Sequence, residues 1–446
     1  MTSLIQPFDP ARHTEYLRDE SLRSGKADTI SFPSTKSQIR QVLTQVSDRQ
    51  IPVTVQGSRT GIDGRAVPHT GHILNLSAMN RITDMTLDSA GNYRLKVQPG
   101  VILADLVRQT ASRRFDNAGQ WGRSSLAVLE RFQKDPSPWF WPPDPTEDTA
   151  TIGGMAATNA RGICVHAYER ARQHIRAVQG VNIRETFHKL NLKQSQDAFL
   201  SGDNGLGIIT ELTLQLMPMP PQMWGMVFFF PCPDQAPEFI DRLKSDPVSS
   251  GDFGRTIMAA MELMDSKTLE IIHRFKKAHP VFRSMPAVDP TAAGAVYLEL
   301  HGSSEPAMTD LAAQLMDAAE QAGGDADASF AATSHGDLSR IRLFRKAAPH
   351  AVSHVTAGVR QKDDRIYRLG YDLIRPDMSV SEQVQNLETD MADTGVSGII
   401  FGHAANSCLH VNLVPENHDE FIRAKTVIRH WADQEKSGTN PNSNPA

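Results

Sequence analysis

The sequence predicts an α+β protein of two or three domains. It has 446 residues, and the number of domains follows from a typical domain length of ~150 residues. In the first half, glycine-rich loops follow short β-type segments. In the second half, strands alternate with helices outside any glycine-rich loop, a pattern typical of an antiparallel sheet with helices on one face. Prolines at positions 218, 220 and 221 mark the boundary between the halves.

The composition is that of an ordinary globular protein, with 40% apolar and 22% charged residues. The chain has 46 basic and 51 acidic residues, which give a net charge of −5. Nucleic acid is therefore not an expected partner. No apolar run approaches the ~20 residues that span a bilayer, and the N-terminal residues lack the pattern of a secretory signal. We therefore expect a cytoplasmic protein, with peripheral association at the inner membrane as an alternative.

The first half begins with a polar arm and then alternates helices with strands. Thr35 and Gln38 have capping-box spacing, and Ile39, Val42 and Val46 continue a helical period. Residues 111–150 are rich in proline and are predicted to form a loop. Further strands are predicted at 51–55, 72–76 and 94–98, and a short helix at 101–108.

The second half has a different pattern of predicted strands and helices. Strands are predicted at 226–230 and 295–301, and helices near 258–273, 308–322 and 380–393. The last 20 residues are predicted to form a disordered tail.

The loop Gln56–Gly61 suits the binding of a phosphate-bearing ligand. Glycine lets the backbone approach a ligand closely, and Arg59 and the neighbouring hydroxyls can add charge-assisted bonds. The loop does not open a helix and contains no G-x-G-x-x-G, which disfavours a Rossmann site. Taken alone, such a loop is more often a tight turn; three glycine-rich loops in one region favour a large diphosphate ligand.

Two histidines frame a predicted hairpin near the C-terminus. His403 follows one apolar strand and His410 begins the next, so a turn at Ala404–Ser407 would bring both imidazoles to one end. His410 and Asn412 then share a face because side chains alternate along a strand. Paired imidazoles can hold a divalent metal that orients a hydroxy acid. The alternative is two polar hairpin residues without a ligand.

Five motifs of the first half resemble the PCMH-type FAD-binding domain of the vanillyl-alcohol-oxidase superfamily, which has two subdomains. The resemblance depends on their order and spacing over about residues 30–220, because each motif is modest alone. The motifs are Pro52–Gly61, Leu95–Gly100, Pro142–Pro145, Ala150–Gly154 with Thr158–Ala160, and Gly205–Thr210.

This resemblance implies FAD as the cofactor. The first loop and the Ile-Gly-Gly segment would wrap the pyrophosphate, and Gly207 and Ile209 would hold the adenine side. No histidine stands where the superfamily attaches flavin covalently, so non-covalent FAD is implied. The residues assigned to FAD are Gln56, Gly57, Ser58, Arg59, Thr60, Gly61, Pro143, Asp144, Thr151, Gly153, Gly154, Asn159, Gly207 and Ile209.

The second half resembles the D-lactate, D-2-hydroxyglutarate and glycolate dehydrogenases at 259–265, 344–347 and 401–412. The resemblance implies an α+β cap domain with an antiparallel sheet that binds a small 2-hydroxy acid. Arg345 would grip the substrate carboxylate, with Arg368 beside it. His403 and His410 would hold a divalent metal, Zn²⁺ or Mn²⁺. The predicted catalytic set is Arg345, Arg368, His403, His410 and Asn412.

Several positions depart from the family pattern. The third metal ligand, a glutamate about 33 residues after the second histidine in relatives, has no acidic counterpart in residues 437–446. The helical C-terminal segment of relatives is also expected to be missing. Ala404 and Ala405 replace an acidic Gly-Asp motif of the family. In the loop 202–205 the acidic residue is Asp203, which is shifted from the acidic position in the corresponding loop of relatives. Arg342 stands where relatives have tryptophan. A weakened metal site is therefore expected.

The leading hypothesis is an FAD-dependent D-2-hydroxyacid dehydrogenase that passes electrons to a separate protein or a quinone. An iron–sulfur or second flavin subunit is a further candidate partner. The alternative is a non-catalytic or partner-dependent flavin subunit; a sugar or aldonolactone oxidase fits only the first half. The predicted organisation is an arm (1–32), an FAD-binding domain (33–218), a cap domain (219–414) and a shortened C-terminal segment (415–446).

Overall fold

The computed structural model describes residues 4–182, 187–191, 207–245 and 256–437. The chain separates into two compact units, and the predicted α+β class is confirmed. The first unit contains Met1–Gly162 and Glu169–Met219, and the second contains Ile163–Tyr168 and Pro220–Ala446. At Ile163–Tyr168 the chain thus passes from the first unit into the second and then returns to the first. The sequence analysis did not predict this passage.

The first unit contains two main sheets. A four-stranded sheet has the order β1-β2-β4-β3, in which β2, β4 and β3 are parallel. A five-stranded antiparallel sheet has the order β5-β6-β10-β8-β9, and β11 pairs with β7. The strands are β1 (Gln6–Pro7), β2 (Thr29–Ser31), β3 (Val53–Gln56), β4 (His72–Asn75), β5 (Ile82–Leu87), β6 (Tyr93–Val97), β7 (Trp139–Phe140), β8 (Ile175–Asn182), β9 (Phe187–Asn191), β10 (Gly207–Gln215) and β11 (Met217–Pro218).

The helices of the first unit cover these sheets. Thr35 caps the second helix, because its side chain accepts a hydrogen bond from the Gln38 amide, and the helix buries Ile39, Val42 and Val46 as the period predicted. The helices are α1 (Pro10–His13), α2 (Lys36–Ser47), α3 (Leu103–Ser112), α4 (Arg123–Lys134) and α5 (Ile152–Thr158).

The second unit is built on a seven-stranded antiparallel sheet of order β15-β12-β14-β13-β17-β18-β16. Its strands are β12 (Gln222–Phe230), β13 (Thr256–Asp265), β14 (Gly294–Gly302), β15 (Asp325–Ala332), β16 (Leu369–Ile374), β17 (Gly398–Gly402) and β18 (Cys408–Leu413). Its helices are α6 (Val165–Tyr168), α7 (Gln235–Ser245), α8 (Ser266–Ala278), α9 (Glu305–Gln321), α10 (His335–Arg360), α11 (Val380–Thr394) and α12 (His418–Ser437).

The helix predicted at 258–273 is wrong in its first half. Residues up to Asp265 form β13, which pairs with β14 and β17, and the helix begins at Ser266. Alanine, methionine, glutamate and leucine favour helix in isolation. Pairing between two neighbouring strands overrides that preference here, as tertiary context often does for strands.

Three further expectations are corrected. The region 111–150, predicted as loop, contains α4, whose apolar side is buried through Leu129 and Phe132. The arm predicted for residues 1–32 contributes β2 to the first sheet. The C-terminal segment forms α12 through Ser437, where the sequence suggested a tail, and it buries Phe421, Val427 and Trp431 in the core.

Two regions named from the sequence lie outside the described residues: the shifted acidic loop at 202–205 and the last nine residues. Among the helices that are described, none combines the length and the apolar character needed to cross a bilayer.

Candidate active site

One face of the seven-stranded sheet is unusually polar, and the opposite face is the apolar core. On β14, Val296, Leu298 and Leu300 belong to the core, so the alternate residues Tyr297 and Glu299 face the other way. The same alternation on β18 sends Cys408, His410 and Asn412 to the polar side and Leu409, Val411 and Leu413 to the core. Period-two patterning therefore concentrates titratable side chains on a single buried surface.

The hairpin predicted between His403 and His410 is present. β17 and β18 pair antiparallel, with Phe401 opposite His410, and a short helical turn at Ala404–Asn406 joins them. The imidazole rings of His403 and His410 have centroids 5.1 Å apart and an interplanar angle of 76°. Gly402 has a φ of +134°, and a Cβ there would lie 2.8 Å from His410 Cδ2. Glycine is therefore required for the hairpin to hold both rings.

Glu262 on β13 connects two predicted site residues. Its Oε1 lies 2.5 Å from His403 Nδ1, and its Oε2 accepts from Arg345 Nε at 3.2 Å. All three side chains are buried. Burial alone would raise the pKa of Glu262, but Arg345 and His403 outweigh it and lower that pKa to about 2.

Burial acts in the opposite direction on His403. It lowers the pKa of His403 to about 4, although the Glu262 carboxylate partly opposes the shift. His403 is therefore a neutral imidazole at pH 7. The sequence analysis missed the role of Glu262, although a lone carboxylate in the apolar run 257–264 was a usable signal.

His410 has its own carboxylate. His410 Nδ1 lies 2.6 Å from Asp372 Oδ1, and Asp372 is the register partner of His410 on β16. Sequence analysis did not identify Asp372. An acidic residue inside an alternating strand was again the available signal.

Arg368 and Asn412 form a second polar pair on the same face. Arg368 Nε donates to Asn412 Oδ1 at 3.2 Å, and its Nη1 donates to Ser353 Oγ at 3.0 Å. Both Arg368 and Asn412 are buried. The structure thus brings all five predicted catalytic residues onto one sheet face and the helix that covers it.

The histidine pair suits a divalent metal in part. A metal-ligating histidine commonly gives its other ring nitrogen to a carboxylate, and here Glu262 and Asp372 each occupy an Nδ1. The Nε2 atoms of His403 and His410 are therefore the atoms suited to bind an ion. Within the described ranges, however, no third acidic, histidine or cysteine ligand groups with both histidines: the sets of three are Asp372–Cys408–His410 and Cys164–Glu299–His301.

In the first unit, the predicted FAD loop follows β3. Gln56 is buried, and its Nε2 donates to the carbonyl oxygens of Tyr16 and Ala66 at 2.8 and 2.7 Å, so it braces the loop. Arg59 has a φ of +63° and stacks 4.3 Å from the Tyr16 ring centroid. Among the described residues, the amides of Ser58, Thr60 and Gly61 meet no acceptor, which leaves them available to phosphate oxygens.

The Ile-Gly-Gly segment opens α5. Thr151 Oγ1 caps it by accepting from Gly154 N at 3.3 Å. A Cβ on Gly57 would lie 2.2 Å from Thr151 Oγ1, and one on Gly153 would lie 2.9 Å from the Pro99 carbonyl oxygen. The loop, the helix start and the Pro99 turn are therefore in mutual contact, and glycine permits it.

The remaining predicted FAD residues lie in the same unit. Asp144 passes within 2.5 Å of a Cβ built on Gly162, and the preceding Pro143 is buried. Asn159 ends α5 in the left-handed region and accepts from Arg172 N at 3.1 Å. Gly207 and Ile209 lie on β10 opposite Asn182 and Gly180. Close backbone packing and unsatisfied loop amides fit a diphosphate-bearing cofactor.

Comparison with known families defines the class of protein. An FAD binding domain matches residues 27–121, and the C-terminal domain of FAD linked oxidases matches residues 249–434. The protein is a flavoprotein oxidoreductase. The chain thus carries an FAD binding domain followed by the C-terminal domain of FAD linked oxidases.

Named relatives are identical to this chain at about a quarter of the aligned positions. A D-lactate dehydrogenase of Anaerostipes hadrus is 24% identical over 91% of this chain and 78% of its own length. The glycolate oxidase subunit GlcD of Bacillus subtilis is 24% identical over 90% and 76%. The mitochondrial D-2-hydroxyglutarate dehydrogenase of Rattus norvegicus is 23% identical over 88% and 65%.

Solved structures share the fold. Alkyldihydroxyacetonephosphate synthase superposes with a TM-score of 0.64 at 14% identity, over 96% of this chain and 81% of that one. p-Cresol methylhydroxylase superposes with a TM-score of 0.63 at 12% identity, over 98% and 85%. The predicted two-part FAD-oxidase architecture is confirmed.

Proposed function

We propose that the protein oxidises a D-2-hydroxy acid to the 2-oxo acid with FAD as the hydride acceptor. The observation that carries the proposal is the buried chain from Arg345 through Glu262 to His403, beside the Asp372–His410 pair. This arrangement supplies a cation for a carboxylate and two oriented imidazoles for a hydroxyl group. It agrees with the activities in the names of the relatives.

Arg345 and Arg368 bind the substrate carboxylate in this proposal. A guanidinium matches a carboxylate in planar, bidentate geometry, and Glu262 and Asn412 fix the orientations of the two arginines. Because both side chains are buried, the bound anion would exchange water for charge-assisted hydrogen bonds.

His410 removes the proton of the substrate hydroxyl. Asp372 accepts the Nδ1 proton of His410 at 2.6 Å, which leaves Nε2 as the basic atom and stabilises the imidazolium that forms. His403, neutral at pH 7, orients the hydroxyl. Alternatively, His403 and His410 would hold a Zn²⁺ or Mn²⁺ ion through their Nε2 atoms; the ion would then acidify the hydroxyl, and His410 would be a ligand instead of the base.

Anaerobic mixing of the holoprotein with D-lactate, D-2-hydroxyglutarate and glycolate tests the reaction. We expect bleaching of the oxidised-flavin absorbance with at least one acid, and none with L-lactate. Flavin should also leave the protein intact on acid or heat treatment, as non-covalent binding requires. A flavin that no 2-hydroxy acid reduces would reject the activity.

A partner-dependent flavin subunit is the second candidate. Two observations favour it: among the residues that the structure describes, no third acidic, histidine or cysteine ligand joins His403 and His410, and one relative is named as a subunit of glycolate oxidase. Bleaching by the isolated chain would exclude it. In either case electrons leave to a protein acceptor, such as an iron–sulfur or second flavin subunit, or to a quinone. We place the protein in the cytoplasm, with peripheral contact at the inner membrane as the alternative.

A further inference from the structure

A second group of buried titratable residues lies on the polar face, and the proposed reaction does not use it. Glu299 is at its centre. Its Oε1 accepts from His301 Nε2 at 2.6 Å and from the Cys164 thiol at 3.4 Å, and it also contacts Arg342 Nη2. Its Oε2 accepts from the Tyr297 hydroxyl and from Arg342 Nε at 3.0 Å.

Three side chains of this group are metal ligands of complementary type. Cys164, Glu299 and His301 offer a sulfur, a carboxylate oxygen and an imidazole nitrogen that all lie within 4.8 Å of one another. Their exposed fractions are 5%, 0% and 2%. Thiolate, imidazole and carboxylate are the ligand types that Zn²⁺ takes in proteins, and three such ligands are enough for an ion that keeps one open position.

The neighbours of these three residues are arranged as outer partners of metal ligands. The Tyr168 hydroxyl lies 2.7 Å from His301 Nδ1, the nitrogen that does not face Glu299. Tyr297 and Arg342 Nε occupy the Glu299 oxygen that is turned away from the thiol. Ligating histidines and carboxylates normally carry hydrogen bonds of this kind, which fix their orientation.

The spacing is close to that of a tetrahedral site. With Zn–O and Zn–N near 2.1 Å and Zn–S near 2.3 Å, ligand atoms should stand about 3.4 Å apart for O and N and about 3.6 Å for O and S. The Sγ···Oε1 separation of 3.4 Å nearly satisfies this. The His301 ring would withdraw by about 0.8 Å, which a small rotation can provide.

We propose that Cys164, Glu299 and His301 bind one zinc-class divalent ion at a site distinct from the His403–His410 pair. Binding releases the thiol proton to solvent and shifts the imidazole proton of His301 from Nε2 to Nδ1, where it is donated to the Tyr168 hydroxyl. The ion would link the chain just before α6 to β14. The guanidinium of Arg342 is positively charged and repels the ion, so we expect a moderate affinity instead of a very high one.

The test uses the flavin-loaded protein, stripped with a chelator and reloaded with Zn²⁺. Zinc-edge X-ray absorption should show one sulfur neighbour at about 2.3 Å. The zinc should also raise the unfolding temperature, because a ligand that binds only the folded state stabilises it. This readout does not depend on turnover, so it stands or fails independently of the proposed function.

Two variants locate the sulfur. Cys164→Ser should abolish the sulfur signal, lower the affinity for the sulfur-bound zinc at least tenfold and reduce the thermal shift to the part that zinc at His403 and His410 contributes. Cys408→Ser is the matched control, since Cys408 is the other buried thiol with a histidine and an aspartate within the same range; it should keep all three properties. Histidine-only binding at His403 and His410 would add zinc without sulfur.

Two results would overturn the proposal: a wild-type spectrum without sulfur, or a sulfur signal that disappears in Cys408→Ser and survives in Cys164→Ser. If Cys164→Ser fails to fold, His301→Gln decides. It should keep the sulfur signal, lose one nitrogen neighbour and lose affinity at least tenfold; unchanged affinity would reject the site.

Discussion

The glycine loops of the first unit and the polar sheet face of the second unit are built in opposite ways. At Gly57 and Gly153 a backbone without a side chain packs against Thr151 and Pro99, and an added Cβ would meet their atoms. Around Glu262 and Glu299, buried side chains satisfy one another's charges. A site built from backbone is therefore most sensitive to added atoms, and one built from side chains is most sensitive to lost atoms.

The largest effect on flavin content should follow from adding atoms at Gly153. In Gly153→Val the Cβ would lie 2.6 Å from Pro99 Cβ and 2.9 Å from its carbonyl oxygen, so the Pro99 turn must move. We expect destabilisation by about 3 kcal/mol or more and loss of most FAD, measured as flavin per purified chain. Gly119→Ala, where a Cβ meets nothing within 4 Å, should retain full flavin. Equal flavin in both variants would refute the close packing.

Removing atoms should be the damaging change in the second unit. Glu262→Ala leaves Arg345 buried without the carboxylate beside it, at a cost of about 3–5 kcal/mol in the free energy of unfolding. Turnover should fall at least a hundredfold while FAD content stays normal. The matched control is Glu270→Ala, which breaks an exposed glutamate–arginine pair on α8 and should cost under about 1 kcal/mol. Similar costs for both, measured in urea, would contradict a buried pair.

The histidine pair allows a finer comparison within the polar face. Either His403→Ala or His410→Ala should lower affinity for Zn²⁺ or Mn²⁺ by more than tenfold with FAD retained, because each removes one of two nitrogen ligands. Asp372→Asn should lower it about tenfold by loosening the His410 ring. His354→Ala, an exposed histidine beside His279, is the control. Metal affinity unchanged in all variants would remove the ion from this site.

The smallest effect concerns a buried histidine in the first unit. His72 lies between the Thr29 and Ser31 hydroxyls at 2.8 Å each, and burial lowers its pKa to about 4. Because the unfolded chain binds the proton more tightly, stability is full above about pH 6.5 and falls as the pH drops toward 4.

Between pH 8 and pH 5 the loss from His72 should be about 1–2 kcal/mol, from the shift of its pKa. Urea unfolding of the wild type and His72→Gln at both pH values measures it, and the variant should lose that part of the pH dependence. An identical pH dependence in both proteins would show that His72 is not the titrating group.

Much of the local structure was predictable because it depends on near neighbours. The period of Ile39, Val42 and Val46 predicted α2, and the hairpin between His403 and His410 followed from two apolar segments and a short turn. The strand at 256–265 was not predictable in this way. Its residues favour helix, and only its position between β14 and β17 makes it a strand.

By itself, the sequence determined the α+β class, the glycine loops and the two histidines, since periodicity and backbone freedom act over a few residues. Only the tertiary structure decided which carboxylates serve them. Glu262 is 141 residues from His403, and Asp372 is 38 from His410. The strand order β13-β17-β18-β16 brings these pairs together, and that order is set by the packing of the whole sheet, which local patterns do not contain.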